Sequence, residues 1–158
     1  MQLALLLACA LGQTNVDAKT MPIRFPSKRE IKVQVLPGRY RSLGNAVTDT
    51  LSYTETTVQA GIVNAVVMVS SSTISCRDQE SALHDGDVTV TVLSSGPMKA
   101  LGAAFYVRWP QFKNTRWVRE VCLPRKNGSI TGTIDDPVTD GAWPDLEPVL
   151  VAMLATRK

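Results

Sequence analysis

The sequence predicts an all-β domain of about eight short strands, sandwich or jelly-roll in type, and three observations predict it. Residues 31–36 and 88–93 alternate apolar and polar side chains, as strands with one buried face do. Glycine and proline punctuate the chain at Pro37-Gly38, Gly96-Pro97 and Asn127-Gly128, where tight turns end strands. Inside the domain, no segment sustains the three-to-four-residue apolar period of a packed helix. The 158 residues, 44% hydrophobic and 20% charged, fit one globular domain with its own core.

Taken in order, residues 1–20 form an apolar N-terminal segment and linker. The run from Leu3 to Leu11 ends in Ala8-Cys9-Ala10, which imitates a signal-cleavage pattern, and Leu6-Leu7-Ala8-Cys9 imitates a lipoprotein attachment motif. No Lys or Arg precedes the run, which favours retention over cleavage. It is also far shorter than the roughly 20 apolar residues that span a bilayer, so no membrane span is expected. Residues 21–30 read as an extended basic arm, because Pro22 and Pro26 remove donors and push their neighbours to extended backbone. The single β-rich domain then covers residues 31–158.

Within that domain, residues 31–36 are the first strand. The Thr-rich stretch 48–59 is the second, and 62–69 reads as a strand covered on both faces because it is almost continuously apolar and β-branched. Residues 77–84 are polar, a loop or one helical turn. Asp85-Gly86-Asp87 launches the Val/Thr alternation of 88–93. Strands at 101–109, 117–123 and 129–134 follow, the last two joined through Asn127-Gly128, a pair suited to the positive φ angles of a hairpin. Residues 149–154 are a buried strand or a short helix.

Charge is arranged in blocks. Residues 19–41 carry +6, residues 46–98 carry −5, residues 99–134 carry +6 and residues 135–158 carry −3, which with Asp17 makes the net charge of +3. Alternating blocks suit basic and acidic patches that meet between copies, or a basic face turned to a polyanion, or a mixed solvated surface. Arg24, Lys28, Arg29, Arg39 and Arg41 are the cations placed to contact nucleic acid or another partner. The second cation-aromatic stretch, 108–117, is assigned to the core through Trp109, Phe112 and Trp117, with Arg108 and Arg116 reaching outward.

Catalytic chemistry finds little purchase. His84 is the single histidine, so any Ser-His or Cys-His scheme runs through it, and no nucleophile-elbow motif accompanies it. Cys9, Cys76 and Cys122 form no metal-ligand spacing. Cys76 and Cys122 can pair in an oxidising compartment, though burial as small apolar residues is the preferred reading. Asp135, Asp136 and Asp140 form an acidic loop whose oxygens suit calcium or a carboxylate pair. No Gly-rich phosphate loop is present. The expectation is a protein without catalytic residues or cofactor.

The run Asn114-Thr115-Arg116-Trp117, a strand, Pro124, a Gly-bearing turn, Ile130, then Asp135-Asp136 and Asp140 resembles part of the shell domain of small icosahedral RNA-virus coat proteins. The resemblance covers about a sixth of the chain. It implies a jelly-roll shell domain, self-assembly, and acids near a strand end that bind calcium between subunits. Three functions follow in order of preference. The first is a virus or phage structural protein that forms homo-oligomers in a virion; the second is a secreted β-sandwich that binds a protein or glycan. The third is a small enzyme using the acidic loop.

Overall fold

The computed structural model describes residues 19–35, 38–57, 61–84, 90–91, 96–111, 116–137 and 146–157. Two antiparallel sheets dominate them. The smaller pairs β1 (Thr20–Arg24) with β2 (Glu30–Gln34). The larger has seven strands in the order β3-β4-β5-β9-β8-β7-β6. These are β3 (Arg39–Gly44), β4 (Thr48–Thr57), β5 (Gly61–Ser72), β6 (Val90–Thr91), β7 (Phe105–Gln111), β8 (Arg116–Arg125) and β9 (Gly128–Pro137). Helices α1 (Cys76–His84), α2 (Pro97–Ala100) and α3 (Glu147–Ala155) complete the described elements. The mostly β character is as expected, and every strand pairing among the described residues is antiparallel.

Residues 20–24 are extended, as the prolines require, and they are folded into the domain. Ile23 of this stretch and Phe25 just after it lie in the core beside Ile31 and Val33 of β2. The turn between β1 and β2 closes when the Lys28 N–H donates to Phe25 O at 2.9 Å and the Phe25 N–H to Arg29 O at 2.8 Å. Lys28 takes a φ of 68°, a left-handed conformation that a side chain adopts at a cost of about 1–2 kcal/mol.

Cross-strand partners share a face of a sheet, so the register sorts the large sheet into two sides. Leu51 on β4, Val67 and Val69 on β5, Ile130 and Ile134 on β9, and Val121 and Leu123 on β8 all occupy one side and are buried. α3 packs across β5 and β9 there, with β2 beside it. Gly132 makes that approach feasible: a Cβ at this position would sit 2.8 Å from Leu150 Cδ1 and 3.0 Å from Leu154 Cδ2. The second layer of the domain is thus a helix and a hairpin against a sheet.

Four expectations are corrected. Residues 76–84 form a nine-residue helix rather than a loop or single turn. Ser75 caps it, accepting from the Asp78 N–H at 3.1 Å and donating to Asp78 Oδ2 at 2.7 Å, a reciprocal arrangement that holds a helix start. Residues 39–44, left without an element in the sequence reading, form the edge strand β3. On β5, burial is complete on one face only: Ala65, Val67 and Val69 are buried, while Val66 and Met68 are half-buried. In the β8–β9 hairpin, Arg125 pairs with Gly128 across Lys126-Asn127. Gly128 alone of the Asn-Gly pair carries a positive φ, 127°, the position of a glycine following a turn. The 149–154 alternative resolves to helix, entered through Glu147 and Pro148 at its first turn; proline suits that position because its missing N–H has no helical partner. Of the strand expected at 88–93, only Val90–Thr91 lies within the described residues.

Candidate contact surface

The other side of the large sheet is built differently. Starting from the edge, β3 contributes Arg39, Arg41 and Leu43, paired with Thr54, Ser52 and Thr50 of β4. Those pair with Asn64, Val66 and Met68 of β5, and Val66 and Met68 with Asp135 and Thr133 of β9. Three rows therefore cross the face: Arg39-Thr54-Asn64, Arg41-Ser52-Val66-Asp135, and Leu43-Thr50-Met68-Thr133. Arg39 and Arg41 are exposed, Leu43 is 40% exposed, and Ser52, Thr50, Val66, Met68, Thr133 and Asp135 are half-buried. The alternating Thr and Ser of β4 put hydroxyls where the opposite face puts Leu51 and Tyr53. Hydroxyls, three apolar side chains, cations on the margin strand β3 and a carboxylate on the central strand β9, beside buried Val118 of β8, make a mixed surface of the kind that binding faces use.

One end of this face is closed by α1. Its Cys76 is joined to Cys122 of β8 in a disulfide, and its Gln79 Nε2 donates to Ser129 Oγ at 2.6 Å while Thr131 Oγ1 donates to Gln79 Oε1 at 3.1 Å. The preferred reading of Cys76 and Cys122 as separate buried thiols is thus corrected to a buried pair. Beside this end, on β8, burial pushes the Glu120 carboxyl above its ordinary range by desolvation, because a charge is costly away from water.

The sequence-predicted cations divide into two groups. Arg24 is paired with Glu30, and its carbonyl accepts from Ser42 Oγ at 2.7 Å, which ties β1 to β3. Arg29 reaches Asp49 Oδ2 at 3.4 Å. Lys28 at the turn and Arg39 and Arg41 on β3 are exposed. Asp135 and Asp136 hold successive positions on β9, opposite Val118 and Trp117, positions that a pleated strand assigns to opposite faces. Asp140 lies outside the described residues, and no group of three His, Cys, Asp or Glu is placed to hold a metal among the described residues.

A site that the sequence reading missed is the pairing of Asp49 with Arg157, 108 residues apart, at 2.8 Å between Oδ2 and Nη2. Both side chains are nearly fully buried. Arg157 also donates to Val47 O at 2.9 Å and Ser71 Oγ at 3.1 Å, and its own carbonyl accepts from Arg125 at 2.8 Å. This arrangement fastens the turn after α3 to the start of β4. A small hollow of about 340 Å³ between α2 and α3 is lined by Pro97, Pro148 and Val151, with Glu147 at its margin. No helix among the described residues is long and apolar enough to cross a membrane.

Compared with protein-family models, with curated proteins and with solved structures, the chain gives no match.

Proposed function

We propose that this chain is an exported β-sheet domain that acts by contact, binding a macromolecular partner through the open face of its large sheet. The observation that carries the reading is the Cys76–Cys122 disulfide, which fixes the helix bordering that face. Disulfides persist in oxidising compartments and are rare where glutathione keeps thiols reduced. The mixed row chemistry of Arg41, Ser52, Val66 and Asp135 supports contact with a surface. Differential alkylation and mass spectrometry of the protein from the cells that make it tests the reading. Oxidised Cys76 and Cys122 in protein recovered outside the cytoplasm are expected. Two free thiols in a cytoplasmic pool contradict it.

A second reading, a virion or phage structural protein built through subunit contacts, is favoured by one specific feature. The open face carries a cationic margin and a carboxylate together, as repeated self-contact needs. In that setting a finished sandwich or jelly-roll-like layering would be completed between copies. Nucleic acid is a further partner for this second reading through Lys28, Arg39 and Arg41, and intersubunit calcium through Asp135 belongs to it as well.

A further inference from the structure

We infer that β3, the margin strand of the large sheet, takes an extended acidic segment of a partner protein as an added strand. The inference concerns the edge of the sheet and stands apart from the reading of its open face. β3 ends the strand order, so one of its sides has no strand beside it among the described residues. The turn into β4 fixes which main-chain groups face that side. The Asn45 N–H donates to Thr48 O at 2.7 Å, the bond of a hydrogen-bonded pair. Antiparallel pairs alternate between bonded and non-bonded, so Leu43-Thr50, Arg41-Ser52 and Arg39-Thr54 are bonded pairs. β4 agrees from its other side. The Ser71 N–H donates to Val47 O at 2.9 Å, which turns Asp49, Leu51 and Tyr53 toward β5 and leaves Thr50, Ser52 and Thr54 for β3. Tyr40, Ser42 and Gly44 therefore direct their N–H and C=O groups away from β4. Such a row of alternating donors and acceptors is what an added strand satisfies.

The side chains identify the occupant. Arg39, Tyr40 and Arg41 are exposed, and neither guanidinium meets a carboxylate among the described residues. The β3 of a second copy is a poor occupant, because like charges opposed across strands are unfavourable. Cations on a margin strand are a common guard against such pairing, and that role alone accounts for the arginines. It does not account for the apolar surface beside them. Tyr40 is 43% exposed, Leu43 40% and Val47, in the turn that follows, 53%, and clustered apolar exposure marks contact surfaces. Nor is β3 shortened, bulged or broken by proline, since its six residues pair with β4 in continuous register. An added strand with carboxylates at alternate positions meets Arg39 and Arg41. An aliphatic residue at its next position on that face covers Leu43, and its other face offers apolar surface to Tyr40. Phosphate groups would also meet the arginines, but they only accept, which leaves the Tyr40, Ser42 and Gly44 carbonyls without donors. The strand is already held in place for its partner. Ser42 Oγ donates to Arg24 O at 2.7 Å from the closed side, so little ordering is left for binding to impose.

Titration of the full chain with an acetylated, amidated hexapeptide of alternating glutamate and valine tests the inference, read by amide hydrogen exchange at single-residue resolution. Binding is expected to slow exchange at Tyr40, Ser42 and Gly44 by about tenfold or more. Arg41 and Leu43, already bonded to β4, are expected to change little, and this period of two is a pattern that diffuse charge attraction does not produce. Arg39→Glu combined with Arg41→Glu is expected to weaken the glutamate peptide by about tenfold or more and to bind the matching lysine–valine peptide in its place. That exchange of preference shows the variant to be folded. Tyr40→Pro removes one outward N–H while leaving the bonds to β4, and is expected to weaken the glutamate peptide by about tenfold as well. No binding at millimolar peptide, an equal response to a peptide with its three glutamates grouped at one end, or slowing without the period of two overturns the inference. Slowing of the same amides by raised protein concentration alone overturns it in favour of a second copy. Tighter binding of a single-stranded oligonucleotide there overturns it in favour of nucleic acid.

Discussion

The two faces of the large sheet come from the same strands and differ by one residue of phase. On β4, Leu51 and Tyr53 are wholly buried while their neighbours Thr50 and Ser52 are half-exposed; on β5, Val67 and Val69 are buried while Val66 and Met68 are not. The closed face is filled by α3 and the β1–β2 hairpin, and its residues are large and aliphatic. The open face is mixed and margined by Arg39 and Arg41; α1 borders it at Cys122, and its β8 positions Val118 and Cys122 are buried. The difference separates stability from recognition. Burial on the closed face supplies most of the folding free energy, which leaves the alternate positions at liberty to carry hydroxyls and charge.

The sharpest way to break the comparison is to attack the closed face where it holds a charge. Asp49→Ala leaves the Arg157 guanidinium buried without its carboxylate, and a destabilisation of about 3–5 kcal/mol is expected. Urea unfolding measures it, and a double-mutant cycle with Arg157→Met isolates the pairing. The disulfide comes next. Its 46-residue separation closes a loop whose entropy is worth about 4 kcal/mol, so Cys76→Ser with Cys122→Ser lowers the unfolding midpoint without changing the far-ultraviolet spectrum of the remaining sheet.

Smaller changes set the faces directly against each other. Gly132→Ala on the closed face forces α3 outward and costs about 1–3 kcal/mol, whereas Thr50→Ala on the open face changes stability by no more than about 0.5 kcal/mol. Equal costs in thermal melts would erase the distinction. At the β1–β2 turn, Lys28→Gly relieves the left-handed backbone and raises stability by about 1 kcal/mol, so Lys28 is retained at a cost to the fold. The smallest effect is a pH dependence. Burial raises the folded-state pKa of Glu120 above its unfolded value, so its protonated form favours folding. That contribution is full below the unfolded pKa and is lost as pH rises through the folded one. Glu120→Gln therefore flattens the fall in melting temperature over that window and is more stable than the parent above it.

What the sequence could announce follows from how each element is stabilised. β2 was legible because Ile31 and Val33 alternate with Lys32 and Gln34 and only the first pair is buried. β8 and β9 were legible from apolar runs flanking a Gly-bearing turn. β3 was not, since Arg39, Tyr40 and Arg41 are all exposed and a margin strand needs no apolar alternation. α1 is a polar helix held by its cap and its disulfide, so apolar periodicity could not reveal it; the spacing of Ser75 and Asp78 was the available signal. α3 is apolar on nearly every side although only Val149, Leu150, Met153 and Leu154 are buried, and the lack of a polar stripe left strand and helix equally open. The candidate surface was legible only in part. Arg39 and Arg41 were named, but their union with Asp135 depends on the strand order β3-β4-β5-β9, and the Asp49–Arg157 pair joins residues 108 positions apart. Neither is a local property of sequence.

Methionine footprinting tests the division of labour between the faces most directly, because Met68 lies on the open face, Met153 on α3 and Met98 on α2. Brief peroxide or hydroxyl-radical exposure of the protein, read by peptide mass spectrometry, should oxidise Met68 well before Met98 and Met153. Met68 as resistant as Met153 would contradict the account.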